Sequence, residues 1–251
     1  MVSAKKIKEI QELQKKGKAR RETGLFVVEG ERIVSELPED RIEELYLSEE
    51  YVKAHPGRRA GEVLKDHVFA KLSDTKTPQG ILAVMRKPAF VLEEALRTNG
   101  GLYLALEAVQ DPGNLGTIFR TAEGAGVTAI FLTKGTADLY APKTVRSTMG
   151  SIYRQPHFFV ETVREAAELM KKRGIRLYAA ALSGERRYDE ADYRGSSAFL
   201  IGNEGNGLSE TALSLADQRV RIPMKGALES LNASVAASLL MYEAARQRGF
   251  A

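Results

Sequence analysis

At 251 residues with a formal net charge of +4, the chain has room for one large domain or two modest ones. It has no cysteine, which excludes disulfides, thiolate catalysis and cysteine-ligated zinc. A chain of this length buries roughly three quarters of its unfolded surface and needs no covalent staple. Its first residues are basic and polar and no apolar run reaches spanning length, so a cytoplasmic protein with no membrane partner is expected.

The charge is unevenly placed. Residues 1–21 carry eight Lys or Arg against Glu9 and Glu12, a local +6, so the remainder sums to −2. This segment reads as a helix ending near Gly17. It is either a solvated face or a basic arm for nucleic-acid phosphate. Strands are expected at 24–28, 42–47, 68–70 and 80–85 with helices between them, a small α/β domain over residues 1–87. Residues 88–100, bounded by Pro88 and the pair Gly100-Gly101, read as a linker with a short helical piece.

Beyond the linker, expected strands at 102–109, 127–133, 157–160, 175–181, 197–201 and 219–222 alternate with helical patterns. That alternation predicts a parallel sheet covered by helices on both faces, in a domain over 101–251. Three segments there stand out. The first, Asp111-Pro112-Gly113-Asn114-Leu115-Gly116, is turn chemistry after a buried strand. Asn114 is expected to cap a helix with apolar residues at 115, 118, 119, 122 and 125, and Arg120 lies off that stripe, within reach of Glu123. The second, Ile201-Gly202-Asn203-Glu204-Gly205-Asn206-Gly207, is a glycine turn with one carboxylate. It has neither the spacing of a dinucleotide fingerprint nor the Lys of a P-loop. The third runs from Ile222-Pro223-Met224 through a loop to Ser230-Leu231-Asn232, followed by a helix to about 246 whose first turns carry Ala233, Ser234, Ala236, Ala237 and Ser238. Ser230 and Asn232 stand at its entrance, one to cap and the other to reach into a site. The three histidines, His55, His67 and His157, fall outside these segments.

Together and in this order, the three segments resemble the motifs of the SpoU (TrmH) family of RNA 2′-O-ribose methyltransferases, in the SPOUT superfamily. The resemblance covers about residues 101–249. A weaker one, carried by Phe26-Val27-Val28-Glu29-Gly30 and Thr77-Pro78-Gln79-Gly80-Ile81, covers 1–86 and is similar to the substrate-binding domain of many members.

The resemblance implies an α/β parallel-sheet domain with a deep C-terminal trefoil knot, a rare exception to unknotted topology, behind a smaller α/β substrate-binding domain. It implies S-adenosylmethionine as cofactor, held against Leu182 and Ser183, Ile201, Gly202 and Gly205, and Ile222, Met224 and Leu231. It implies catalytic roles for Asn114, Arg120, Glu204, Ser230 and Asn232 and RNA contacts at Lys143 and Arg146; the N-terminal charge excess adds Lys18, Arg20 and Arg21 as expected RNA contacts, and no metal is expected. The expected partners are RNA, ribosomal before transfer, and a second copy of the chain in a homodimer. A guanidinium stays protonated at any working pH, so Arg120 is expected to stabilise a 2′-oxyanion rather than take its proton. A silent RNA-binding factor and a nucleotide-dependent oxidoreductase are the competing readings.

Overall fold

The computed structural model describes residues 2–57, 61–225 and 230–249. The chain begins with α1 (Ala4–Lys15), α2 (Gly17–Thr23), β1 (Leu25–Glu29), α3 (Glu31–Ser35), β2 (Ile42–Ser48), α4 (Glu49–Ala54), β3 (Glu62–Leu64), α5 (Asp66–Leu72) and β4 (Ile81–Arg86). It continues through α6 (Leu92–Ala95), β5 (Leu102–Leu106), α7 (Pro112–Gly124), β6 (Ala129–Thr133), α8 (Pro142–Thr148), α9 (Ser151–Arg154), β7 (His157–Val160), α10 (Val163–Lys171) and β8 (Arg176–Ala180). It ends with β9 (Arg186–Arg187), β10 (Ser197–Ile201), α11 (Glu210–Leu215), β11 (Gln218–Arg221) and α12 (Ala233–Gln247). Two compact units result: Met1–Pro88 with Asp138–Tyr153, and Ala89–Ala137 with Arg154–Ala251.

The first unit is built on a sheet of order β1-β4-β2-β3, antiparallel except where β2 meets β3. Ser3 caps α1 by accepting from the Lys6 amide, and the helix buries Ile10 and Leu13 among Val27, Leu64, Phe69 and Leu72. The strand expected at 68–70 is instead the middle of α5. Phe69 and Leu72 lie three apart and both enter that cluster, which only a helical turn allows. The Phe-Val-Val-Glu-Gly and Thr-Pro-Gln-Gly segments meet end to end: Gln79 Oε1 accepts from the Glu31 amide at 2.8 Å, and the buried Glu29 carboxylate accepts from Thr75 Oγ1 at 2.8 Å and the Asp74 amide at 3.1 Å. These residues clasp the domain's own loops. Residues 138–153, which the sequence places within the C-terminal domain, pack here instead, with the Phe26 ring 5.0 Å from Tyr140 and 5.8 Å from Tyr153.

The second unit is a seven-stranded sheet of order β7-β6-β5-β10-β8-β11-β9, every neighbouring pair parallel. The central strands are predominantly apolar, as burial on both faces requires; all five residues of β5, β6 and β10 are buried, the only polar ones being Thr133 at the end of β6 and Ser197 at the start of β10. β5 and β10 lie side by side and end in register, Leu106 opposite Ile201. From β5 the sheet grows one way through β6 and β7, and from β10 the other way through β8. Where strand order reverses, the loops at the carboxyl ends diverge and leave a crevice, the usual ligand position in such sheets. Among the described residues no helix is long and apolar enough to cross a membrane.

His157 belongs to this core. Its ring lies 5.2 Å from Phe90 and 5.4 Å from Phe119, both edge-on, and Nδ1 is 3.0 Å from the Gln155 carbonyl. Burial disfavours the imidazolium and lowers its pKa to about 4. The unfolded chain binds this proton from about pH 6.5 downward and the native chain resists it until about pH 4. Stability is therefore full above pH 6.5 and falls through that window, by about 3 kcal/mol in total. Chemical denaturation at pH 7.5 and 4.5 is expected to show this loss in the parent and a much smaller one in His157→Phe.

Candidate functional site

Four loops meet at the carboxyl edge of the seven-stranded sheet: 107–111 after β5, 181–185 after β8, 202–209 after β10, and the segment after β11 that leads to α12. Residues 226–229 of that last loop lie outside the described residues. A cavity of about 490 Å³ opens between the second, third and fourth of these. Leu182, Ser183, Ile201, Gly202, Gly205, Ile222, Met224 and Leu231 all line it, together with Glu204 and Ser230. Its volume and mixed apolar and backbone lining suit one small, flat organic ligand with a polar edge. Gly202 is dictated by close approach: a Cβ there would lie 2.2 Å from the Gly207 carbonyl carbon. The turn it permits closes on itself, Asn203 and Gly207 exchanging both backbone hydrogen bonds at 3.0 and 2.9 Å.

A chain of hydrogen bonds ties the three motif segments together beside this cavity. Glu204 accepts from the amides of Gln110 at 3.0 Å and Asp111 at 3.1 Å, and from Asn114 Nδ2 at 2.9 Å. Asn114 Oδ1 in turn accepts from Asn232 Nδ2 at 2.9 Å and Ser234 Oγ at 3.3 Å. Partial burial works against the Glu204 carboxylate, yet the bond from Asn114 and those from the two amides outweigh it, and its pKa sits below the usual glutamate range. The side chain of Asn114 is thereby fixed, its amide aimed at the carboxylate and its oxygen at α12.

The entrance of α7 differs from the sequence reading, and that of α12 follows it. Asp111, not Asn114, caps α7: its Oδ1 accepts the Asn114 amide at 2.8 Å, and Pro112 occupies the first helical position, where no donor is needed. Asn114 is one turn in and buried, which frees its side chain for the network. At α12 the cap is Asn232, whose Oδ1 accepts from the amides of Ser234 and Val235, while Ser230 is exposed and lines the cavity.

Arg120 is exposed on α7 and, among the described residues, forms no hydrogen bond or ion pair. The partner the sequence offers it is engaged elsewhere: Glu123 receives both Nε and Nη2 of Arg154, the latter at 3.1 Å. Arg120 is thus a free guanidinium on the helix that carries Asn114.

Three contributors escaped the sequence reading. Asn203 Nδ2 donates to the Ala108 carbonyl at 2.8 Å while its Oδ1 receives the Gly205 amide at 2.8 Å. Glu107 accepts both the amide and hydroxyl of Ser209, at 2.9 and 2.7 Å, and so fixes the start of α11. Ser234 closes the asparagine pair, reaching Asn232 Oδ1 at 2.6 Å. An Asn opening a glycine turn was the one available signal, since its side chain commonly bonds its own backbone two residues on.

The expected RNA contacts all lie in the first unit and divide sharply. Lys18, Arg21 and Lys143 are exposed. Arg20 is not: it is 4% exposed, its Nη1 donates to the Gln14 carbonyl at 2.9 Å, and Nε and Nη2 both reach Asp138 Oδ2 at 3.2 and 2.7 Å. Every part of its fork is committed to the protein, so Arg20 leaves the set of phosphate ligands. Arg146 is half-buried, with Nη1 3.7 Å from Asp74 Oδ2.

Comparison with known proteins agrees with this geometry. A model of the SpoU rRNA Methylase family matches residues 101–242, the span that builds the sheet, the cavity and the network. The chain belongs to the SpoU family. Residues 4–83 match an MRM3-like substrate binding domain. A Bacillus subtilis relative, the 23S rRNA (guanosine(2553)-2′-O)-methyltransferase RlmP, is 37% identical over 94% of each chain. The Thermus thermophilus tRNA (guanosine(18)-2′-O)-methyltransferase is 39% identical but over 62% of this chain and 81% of its own. The SpoU methyltransferase AviRb of Streptomyces viridochromogenes, solved with the cofactor AdoMet, superposes with a TM-score of 0.85 at 28% identity, covering 99% of this chain and 100% of that one.

Proposed function

We propose that the chain methylates a ribose 2′-hydroxyl of 23S rRNA with S-adenosylmethionine as donor, in the cytoplasm. The observation that carries the reaction is the Asn232–Asn114–Glu204 chain, which fixes three motif loops around a cavity lined by Leu182, Ile201, Ile222, Met224 and Leu231. Three features favour the donor there. Apolar walls suit the adenine faces, the backbone turns at 181–183 and 202–207 offer fixed polar edges, and the negative charge of Glu204, a residue of the cavity lining, favours a cationic ligand nearby. When bound, S-adenosylmethionine supplies an electrophilic methyl group; the chain's own residues do the rest. Arg120 engages the target ribose and its phosphate and stabilises the developing 2′-oxyanion with its N–H groups. Phosphate or water takes the proton. Asn114 acts as a positioning residue, tying α7, which carries Arg120, to Glu204 and to the start of α12; Glu204 holds loop 202–207 in place, and Ser230 meets the incoming hydroxyl. Alignment of oxygen and methyl supplies much of the acceleration.

The choice of 23S rRNA rests on the length of the match: the 23S enzyme of Bacillus subtilis is similar along both domains, whereas the tRNA enzyme matches 62% of this chain. Methyl transfer from labelled donor to separate pools of unmodified large-subunit, small-subunit and transfer RNA, followed by digestion to nucleosides, tests both parts. A labelled 2′-O-methylnucleoside from the large-subunit pool is expected. Label only in transfer RNA overturns the substrate, and label in a base overturns the reaction.

The chain is further proposed to act as a homodimer with its C-terminal segment knotted. The outer face of α12 leaves Val235, Leu239 and Tyr242 exposed at 48%, 37% and 45%, a continuous apolar stripe with Thr117 of α7 at its margin. A two-fold partner would bury it, and charge there would not. Leu239→Glu is expected to give a monomer by light scattering while the parent runs as a dimer. The knot is what membership of the SpoU family implies; the last turn of α12 is held where Gln247 and Arg248 donate to the carbonyls of Ala191, Tyr193 and Gly195.

A further inference from the structure

We propose that Arg21 and Lys87 form a binding site for a backbone phosphodiester of the RNA, with Arg20 as its internal anchor; this rests on the reading of the chain as an RNA methyltransferase. The site lies wholly within the first unit, where α2, the end of β4 and the segment 138–140 converge.

The geometry begins with Asp138. One of its oxygens accepts Nε and Nη2 of Arg20, and the other accepts the Tyr140 amide at 3.0 Å. Its charge is therefore already matched. Gly17 lets the helix approach this carboxylate: a Cβ there would lie 2.8 Å from Asp138 Oδ2 and 3.2 Å from Arg21 Nη1. Arg21 thus stands immediately beside the neutralised pair. Lys87 enters from the end of β4, its ammonium 4.6 Å above the Tyr140 ring. Among the described residues neither Lys87 nor Arg21 has a carboxylate within ion-pair distance. Three cations and one carboxylate thus share a small region, leaving two positive charges uncompensated.

Lys87 is also half-buried, and its pKa is held below the usual lysine range, first by burial and then by the charges of Arg20 and Arg21, against the opposing pull of Asp138. An unpaired cation under that strain gains most from an incoming anion. A phosphodiester can accept from the exposed fork of Arg21 and from the Lys87 ammonium together, and the ring of Tyr140 keeps the lysine in place. Arg20 cannot contact the ligand, since its donors are used, but it holds α2 against Asp138 and so sets where Arg21 stands.

The test is binding of an unmodified 23S rRNA transcript at several salt concentrations, by the parent, Lys87→Gln, Arg21→Gln and the double variant, with S-adenosylmethionine affinity and Tm measured alongside. Each single substitution is expected to weaken RNA binding about 3- to 10-fold and to lower the slope of log K against log salt by about 1, since one phosphate contact is lost. Donor affinity should be unchanged, and Lys87→Gln should melt at or above the parent's Tm, because it removes a charge repelled by its neighbours. An unchanged salt slope overturns the site; if Tm falls as well, Lys87 is a packing residue for Tyr140. If the parent itself transfers no methyl to RNA ribose, the proposed function fails instead, and the two failures are distinct.

Discussion

Arg120→Ala is expected to lower single-turnover methyl transfer at least about 10³-fold while leaving S-adenosylmethionine affinity within twofold of the parent. The separation follows from position. Arg120 is not among the residues that line the 490 Å³ cavity, and it has no bond to loop 202–207 or to α12 whose loss would reshape that cavity. Its exposure means that truncation leaves no buried partner unsatisfied, so the fold should keep its stability. What is lost is a planar cation able to give two parallel hydrogen bonds to an oxyanion or phosphate, and single donors of that kind are worth about 10²–10³ in rate. Arg120→Lys keeps the charge without the fork and is expected to recover only part of the rate. Calorimetry with the donor and quenched-flow methyl transfer read the two quantities separately. Donor affinity that falls in step with rate would place Arg120 in the donor site and sink the assigned role.

The sheet was legible because its central strands are buried on both faces and so are written as largely apolar runs, such as Leu102 to Leu106 and Ala129 to Leu132. The cavity-lining residues were legible only through the resemblance: turn chemistry after a strand marks where a crevice can open, but it does not single out Leu182, Met224 or Leu231. The polar network was only half legible. Glu204, Asn114 and Asn232 stand out as polar residues in motifs, but their mutual bonds span 90 and 118 positions, and no local pattern encodes such a distance. Ser234 looked like one more small residue of a close-packed helix because a hydroxyl and a methyl have nearly the same bulk.

Arg20 shows the opposite failure. Counting charge treats every Lys and Arg in residues 1–21 alike, and burial is what separates them. The carboxylate that removes Arg20 from the surface lies 118 residues away, in a segment that the strand pattern assigns to the other domain. The helix at Asp66–Leu72 was misread for a local reason: three residues, Val68 to Ala70, are too few to tell a period of two from one of 3.6.

Asn114→Asp is the sharpest test of the network, because it changes one amide nitrogen to oxygen and almost nothing in shape. In the parent, Nδ2 donates to Glu204 at 2.9 Å. In the variant two carboxylates face each other at that separation, and they can coexist only by sharing a proton, which raises the apparent pKa of the pair. The sign of the pH dependence therefore reverses. Glu204 in the parent has a lowered pKa, so its contribution is present above the usual glutamate range and lost as the solution is acidified. The variant's pair has a raised pKa, so the folded state holds a proton the unfolded chain has released, and stability is lost as pH rises through it. At pH 8 the variant is expected to be about 2 kcal/mol less stable than the parent, the lower end for a broken buried interaction because water reaches Glu204. That corresponds to a Tm roughly 4–8 °C lower for a domain of this size. Methyl transfer should fall at least about 10²-fold with it, since loops 107–111 and 202–209 part. The difference from the parent should shrink towards pH 5. Adding Glu204→Gln to this background puts a donor opposite the new carboxylate and is expected to restore part of the stability, though not all, because the Asp111 amide then lacks a full acceptor. An Asn114→Asp variant that matches the parent's Tm at both pH values would show that the Asn114–Glu204 bond does not hold the loops together.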